Sequence, residues 1–356
     1  MTGKRAIVVG GGPAGASAAF RLQRAGVAVK VLERNAHIGG RTRTEHVDGY
    51  IVDIGAGVLP GSYQAVYRLM HDAGLADQLA PMTSPTAVIR DGSLHYLELS
   101  NAISSMLGTK LLGLNSKLHF AAIGVKALRM WKSLGFDSLA AAAPYDTETL
   151  AEYSKRALTP ELYEYLVNPT EKMLYTLSGS EASVVDFFWC AKNLLHPKAY
   201  CVKGGMDRIV TEVARNFEVQ LQTEVLSVNQ AGEQVDVQLR DRSGRETTER
   251  VDLCVIATPA RDVPKIDRGL SMANQQYLRQ LEYSVLTDLH LRLRSRPAEK
   301  AVLIMVPDAT DPDLAGIVFE HNKGADRVPA GKGAISAYFM HRWAQQVYAL
   351  PDEEIY

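Results

Sequence analysis

The stretch from residue 5 to residue 33 limits what this chain can fold into more than any other part of its sequence. Ala6-Ile7-Val8-Val9 is an unbroken apolar run, the pattern of a parallel strand buried on both faces, and Gly10-Gly11-Gly12-Pro13-Ala14-Gly15 follows it directly. Helical periodicity then runs over residues 14–24, with Ala18, Ala19 and Leu22 forming a face small enough to lie close on a sheet. Gly26 ends that helix, and residues 27–32 read as a second strand.

Strand, glycine turn, helix and strand in this order make a Rossmann-type unit. Gly10 supplies the tight turn, Gly12 lets the backbone approach a pyrophosphate, and Gly15 lets the helix pack on the strand. An anion is expected at the helix N-terminus beside Pro13 and Ala14, where unpaired amides and the positive end of the dipole face outward. Glu33 follows Gly15 by 33 − 15 = 18 residues, where a carboxylate accepts hydrogen bonds from ribose hydroxyls and repels a 2′-phosphate. A dinucleotide other than NADP is therefore expected.

The next residues, Glu33-Arg34-Asn35-Ala36-His37-Ile38-Gly39-Gly40-Arg41-Thr42-Arg43-Thr44, resemble the flavin amine oxidase superfamily, which includes monoamine oxidases, protoporphyrinogen oxidases and phytoene-type desaturases. In that family a Gly-Gly-Arg-x-x-Ser/Thr segment follows the ribose-binding acid, and Gly39, Gly40, Arg41 and Thr44 match it. The resemblance implies FAD as cofactor, with Arg34, Gly39, Gly40, Arg41 and Thr42 about its diphosphate. A guanidinium suits phosphate oxygens because it donates in pairs. Arg43 reads as a solvated charge. Asp53-Ile54-Gly55-Ala56-Gly57-Val58 resembles the family's following segment, which implies that Gly55, Ala56, Gly57 and Val58 pass along the isoalloxazine ring. Later in the chain, Gly204-Gly205-Met206-Asp207 opens a helix to about residue 215, and residues 219–228 alternate as one strand. By the same resemblance the backbone of Val225 meets the adenine, and the strand over residues 252–259 returns to the dinucleotide near Ala257 and Thr258.

The fold class expected is α/β: a discontinuous FAD domain over residues 1–80 and 195–265, and a substrate domain over 81–194 and 266–356. Within the second, a helical cap precedes an antiparallel sheet with strands at 285–293, 302–306, 315–320 and 334–340. Ile89-Arg90-Asp91-Gly92-Ser93-Leu94-His95 and the helices over 153–180 are more similar to protoporphyrinogen oxidases than to monoamine oxidases. Residues 99–136 carry no acid, while Lys110, Lys117, Lys126, Arg129 and Lys132 interrupt apolar residues. A helical cap with solvated lysines is the favoured reading. A basic amphipathic surface resting on an anionic bilayer is the other. Phe187-Phe188-Trp189 reads as helix core rather than pocket lining.

Composition sets the remaining bounds. The 356 residues suffice for two cores, and 39 basic against 40 acidic side chains leave no field to attract a nucleic acid. Cys190, Cys201 and Cys254 are odd in number and lack paired spacing, which suits a reducing compartment. With no secretory leader and no spanning run, a cytoplasmic location is expected, with membrane association as the second reading. Nine scattered histidines suggest no metal. The chain ends at Tyr356 in what reads as the first turn of a helix, so a truncated chain, or a missing segment supplied by a longer protein or second chain, is expected.

The activity these features suggest is FAD-dependent removal of hydride from a C–N or C–C bond of an apolar, ring-containing small molecule. A carotenoid-type desaturase, a non-redox flavin isomerase, and a flavin-binding subunit acting through a partner are the alternatives. No residue is assigned as catalytic, and Lys203 and Tyr63 read as structural.

Overall fold

The computed structural model describes residues 3–98, 101–194 and 198–355. The opening unit consists of β1 (Arg5–Val9), α1 (Pro13–Arg24) and β2 (Ala28–Leu32). β1 lies in the middle of a four-stranded parallel sheet, with β2 on one side and Leu253–Ile256 on the other, and Glu218–Gln220 pairs outside β2. Ile7 and Val8 are completely enclosed, as an apolar run without alternation requires. α1 lays Ala19 against this sheet, where a small side chain lets helix and strands approach closely, while Ala16 and Phe20 pack on its other side with Leu69, Met70, Ile209 and Val213. Overfilling such a contact costs roughly 1–3 kcal/mol.

The single strand expected over residues 219–228 is in fact two. The chain turns at Gln222, whose φ is 50°, and the strands on either side join different sheets. Gln222 donates its amide to Asn35 O at 2.9 Å and Thr223 to Glu33 O at 2.9 Å, so the end of β2 captures the turn. Glu224–Ala231 then opens a three-stranded antiparallel sheet with Gln234–Arg240 and Glu246–Val251.

The strands expected late in the chain appear as Thr287–Leu293, Leu303–Met305, Leu314–Phe319 and Gly333–Phe339. They join Thr86–Arg90 and Ser93–Leu97 in one six-stranded sheet. Asp91-Gly92 forms the turn between the last two, with φ at 51° and 72°. One pair, Leu303–Met305 beside Thr86–Arg90, is parallel, so the sheet is mixed rather than wholly antiparallel. Ahead of these strands, Met272–Gln280 is a helix that the sequence reading did not assign. Its N-cap Ser271 accepts from Asn274 N at 3.2 Å.

Leu114–Arg129, Leu150–Ala157, Asn168–Tyr175 and Val184–Leu194 are helices around one apolar core that includes Leu111, Ile123, Leu134, Leu162 and Phe188. Phe188 is fully enclosed and Trp189 donates its indole N–H to Gly135 O at 3.1 Å, which agrees with the core reading of the aromatic run. Not all the lysines of this region are merely solvated. Lys126 Nζ stands 4.1 Å from the ring centre of Tyr153 and 4.9 Å from that of Phe188, and Lys117 Nζ donates to Leu107 O and Thr109 O. On the outer face, Leu114, Leu118, Val125 and Leu128 are exposed. Leu99 and Ser100, the start of the basic stretch, lie outside the described residues.

Candidate functional site

The glycine turn is fixed by two contacts that no other residue could make. Gly10 has φ at 104°, where side chains are strained, and a Cβ on Gly15 would sit 1.9 Å from Gly10 O. The turn and α1 are thus pressed together, and the N-terminus of α1 points out of the sheet at Gly12. Gly12 caps the helix with no side-chain hydrogen bond, and Pro13 takes the first helical position, whose missing N–H costs nothing there. A Cβ built on Gly12 would find only Gly40 Cα, at 3.9 Å. Two backbone segments, 10–13 and 39–41, therefore face each other with no side chain between them. Gly39 N donating to Gly11 O at 2.9 Å holds them in register.

Glu33 ends β2 beside this cleft and is 7% exposed. Its Oε2 accepts from Gly11 N at 2.7 Å, and its Oε1 from Asn35 N and Asn35 Nδ2 at 2.9 and 2.8 Å. A carboxylate offers about four lone-pair positions, so one remains for a ligand hydroxyl. On the far side of Gly10, Ala257 N donates to Val9 O at 2.8 Å, and the Thr258 hydroxyl is buried without a hydrogen-bond partner among the described residues. That orphaned donor and the uncapped first turn of α1 both suit an anionic group. Val225 is buried in the core formed with Leu32 and Val9, on the strand that leaves Thr223 bonded to Glu33.

The second glycine segment folds as a short turn, Gly40–Thr42, in which Thr42 donates its hydroxyl to Gly39 O at 2.8 Å. Arg41 is exposed and lies over the ring of Tyr283, 5.5 Å from its centre, with Arg261 at the same distance. With Asn35, His37, Gly40, Arg43, Ile54 and Gly55 it lines a cavity of about 380 Å³. Arg43 is paired with Glu45 rather than left to solvent alone. Arg34 is exposed at the edge of this group.

Residues 53–58 run from the end of a hairpin and are tied to the same turn, because Ile54 N donates to Arg43 O and Ala56 N to Arg41 O. A Cβ on Gly55 would lie 2.1 Å from Arg41 O, and Val58 is exposed. Asp53 anchors the segment from beneath. Its Oδ1 accepts from Thr44 Oγ1 at 2.8 Å and Met206 N at 2.9 Å, and its Oδ2 faces Arg327 Nη1 at 2.7 Å and Lys323 Nζ at 3.1 Å. Burial alone would raise the Asp53 pKa, but the charges of Lys323 and Arg327, with the two donors, hold it below the ordinary carboxylate range. Lys323 and Arg327 escaped the reading of the sequence. Charged residues in a polar stretch look solvated, and only a partner 270 residues away shows otherwise. Lys203, by contrast, reaches Asp77 O at 2.9 Å, and Tyr63 stands at the N-terminal end of a helix with no side-chain capping bond.

Comparison with known proteins agrees with this architecture. The profile of the family described as flavin containing amine oxidoreductase matches residues 13–356. Protoporphyrinogen oxidase 2, chloroplastic/mitochondrial, of Arabidopsis thaliana is 28% identical over 170 residues, 48% of this chain and 32% of its own length. A 4,4'-diaponeurosporene oxygenase of Staphylococcus aureus is 42% identical over 60 residues, 17% of this chain and 12% of its own. The matched stretches thus span at most about a third of these curated relatives. Among solved structures, a putrescine oxidase triple mutant shares the fold with a TM-score of 0.78 at 16% identity, over 99% of this chain and 78% of that one. Cyclohexylamine oxidase from Brevibacterium oxydans IH-35A does so with a TM-score of 0.73 at 16% identity and the same coverage. The chain belongs to the flavin containing amine oxidoreductase family, and FAD is its cofactor.

Proposed function

We propose that this chain is an FAD-dependent oxidoreductase that removes hydride from a C–N or C–C bond of an apolar, ring-containing small molecule. The observation that carries the reading is the N-terminus of α1 at Gly12, which has no side-chain cap and against which the backbone of Gly40 packs directly. Gly12, Ala14 and Gly15 would hold the diphosphate by amides and dipole, with Gly10 making the turn and Pro13 starting the helix, and Gly39, Gly40, Arg41 and Thr42 would close over it. Glu33 holds the ribose, with Arg34 at its rim, and Val225, Ala257 and Thr258 border the adenosine side. Gly55, Ala56, Gly57 and Val58 supply backbone to the flat end of the cofactor. Bound here, FAD would supply a two-electron acceptor, and these residues would orient it and set the charge around it. In this reading residues 1–80 and 195–265 carry the cofactor and the remainder carries the substrate.

The test is spectroscopic. Purified protein is expected to be yellow or to take up one FAD, and anaerobic addition of the right member of a panel of amines, porphyrinogens and polyenes bleaches the flavin band. Colourless protein that refuses added FAD would end the proposal. Bleaching by polyenes alone, with none by amines or porphyrinogens, would favour the desaturase alternative, to which the 60-residue match with the diaponeurosporene oxygenase lends support.

The same proposal extends to a bilayer surface. Leu114, Leu118, Val125 and Leu128 recur on one exposed helix face, with Lys110, Arg129 and Lys132 nearby, and among the described residues no helix is long and apolar enough to cross a membrane. Such a helix rests in the headgroup layer. Sedimentation with anionic vesicles that salt reverses supports this, and equal recovery in the supernatant with and without vesicles removes it.

A further inference from the structure

Beneath residues 53–57 a buried polar chain runs away from the cleft and into the six-stranded sheet. Lys323 Nζ, already 3.1 Å from Asp53 Oδ2, is 3.3 Å from Glu320 Oε2. A Cβ on Gly57 would lie 2.6 Å from the same Nζ, so the ammonium fills the space under that glycine. The other oxygen of Glu320 accepts from Ser336 Oγ at 2.9 Å, and Ser336 Oγ is 2.7 Å from His290 Nδ1. His290 Nε2 ends the chain 3.0 Å from Asp288 Oδ2. Asp53, Glu320, Lys323 and Ser336 are each 3% exposed or less, so water does not stand in for a lost partner.

Counting protons fixes the direction of this chain. A hydroxyl has one hydrogen, and Ser336 gives it to Glu320, so His290 Nδ1 must carry a hydrogen and donate to Ser336. His290 Nε2 stands 3.0 Å from a carboxylate oxygen without hydrogen-bond alignment, so the attraction there is one of charge, and it favours the protonated ring. The doubly protonated ring also balances the charges, since Asp53, Glu320 and Asp288 otherwise outnumber Lys323 and Arg327 by three to two. Among the described residues, the charged groups that act on the ring are Asp288, Glu320 and Lys323, with the Tyr338 hydroxyl beside Asp288. Burial and the charge of Lys323 work against the imidazolium, but the closeness and charge of Asp288, with Glu320, outweigh them and hold His290 above its ordinary pKa. Once the ring loses its Nδ1 hydrogen, Ser336 turns to donate to it and releases Glu320, and Glu320 is left with Lys323 alone.

We propose that His290, acting through Ser336, Glu320 and Lys323, is a positioning residue for the Asp53–Gly57 backbone, and that its protonation sets how tightly this segment holds FAD. The inference rests on the cofactor placement proposed above. Affinity is highest with the ring charged and falls as pH rises through the His290 pKa, by roughly tenfold, the weight of one buried hydrogen bond.

The experiment titrates FAD into deflavinated full-length chain from pH 5.5 to 9 by flavin fluorescence, and follows the His290 ring by NMR in the same samples without FAD. In the unsubstituted protein the midpoint of the affinity change is expected to coincide with the ring titration. Ser336→Ala is expected to leave the ring titrating while the affinity no longer follows it. Asp288→Asn, which keeps the chain to Lys323 intact, is expected to move both midpoints to lower pH together, and it serves if Ser336→Ala does not fold. FAD affinity that stays constant while His290 titrates, or a Ser336→Ala profile identical to that of the parent, overturns this proposal alone. Protein that binds no FAD at any pH overturns the cofactor placement with it.

Discussion

Arg327 Nη1 stands 2.7 Å from Asp53 Oδ2 across 274 residues of sequence, and neither side chain is more than 1% exposed. The pair joins the segment under the candidate flavin end to the connection between Leu314–Phe319 and Gly333–Phe339 of the six-stranded sheet, and Arg327 Nη2 extends it to Val202 O at 3.3 Å. Removing one partner leaves a buried carboxylate with a single cation. Arg327→Met is therefore expected to destabilise the protein by about 3–5 kcal/mol in urea unfolding, with Arg327→Lys little better because one ammonium cannot reach both acceptors. The acid limb gives a second reading. Asp53 is depressed in the fold, so the stability it contributes is present above its ordinary value of 3.8 and lost as pH falls through the lower folded value. Arg327→Met raises that folded value, so the variant has less stability to lose on the acid limb and the loss ends at a higher pH than in the parent; identical acid limbs would refute the assignment.

Gly15 and Gly10 give the sharpest steric case. A methyl on Gly15 would sit 1.9 Å from Gly10 O, so Gly15→Ala must push the turn off the helix. We expect a protein that folds less stably and purifies without yellow colour, whereas Ala18→Ser, one turn further along α1, should keep both. FAD incorporation measured from the flavin absorbance checks this, and a normally coloured Gly15→Ala protein would count against the geometry.

How much of this was legible in the sequence follows from how local each signal is. The opening strand, turn and helix announce themselves because their glycines and apolar residues are adjacent, and Glu33 falls at the end of β2 where the spacing puts it. The turn at Gln222 was invisible because a left-handed φ fell on glutamine, with neither glycine nor proline to mark it, and the contacts that hold it come from Glu33 and Asn35. Lys323 and Arg327 could not be found from their neighbours, because their burial depends on Asp53. Lys126 looked solvated for the same reason, since the rings of Tyr153 and Phe188 that cover it lie 27 and 62 residues on.

Glu33 should matter to cofactor affinity in a way its charge alone does not require. It organises the turn by accepting from Gly11 N and both donors of Asn35. Glu33→Ala leaves those donors without their acceptor and removes the position left for a ribose hydroxyl. Glu33→Gln does no better, because its amide N–H would meet a donor on one side or the other. Both are expected to weaken FAD by about 1.5–3 kcal/mol, on the order of ten- to a hundredfold, in a fluorescence titration. Retention of parental affinity by Glu33→Gln would show that the turn needs no acceptor there.

Glu171 offers a test away from the cofactor. Neither of its carboxyl oxygens has a hydrogen-bond partner among the described residues, and it is fully enclosed in the helical core. Burial, reinforced by the nearby charge of Asp186, pushes its pKa up to about 8 from 4.5. The fold thus keeps the acid neutral while the unfolded chain ionises it. Below the unfolded value the two states bind the proton alike and there is no penalty. As pH rises from there to about 8 the penalty grows by about 1.4 kcal/mol per unit at most, and above 8 it levels off. Glu171→Met fills similar volume and removes the group, so it is expected to stabilise the protein by a few kcal/mol at pH 8 and by much less at pH 5. Thermal or urea unfolding at the two pH values decides it: a gain that is equal at both would mean that packing, not ionisation, is what the substitution changes.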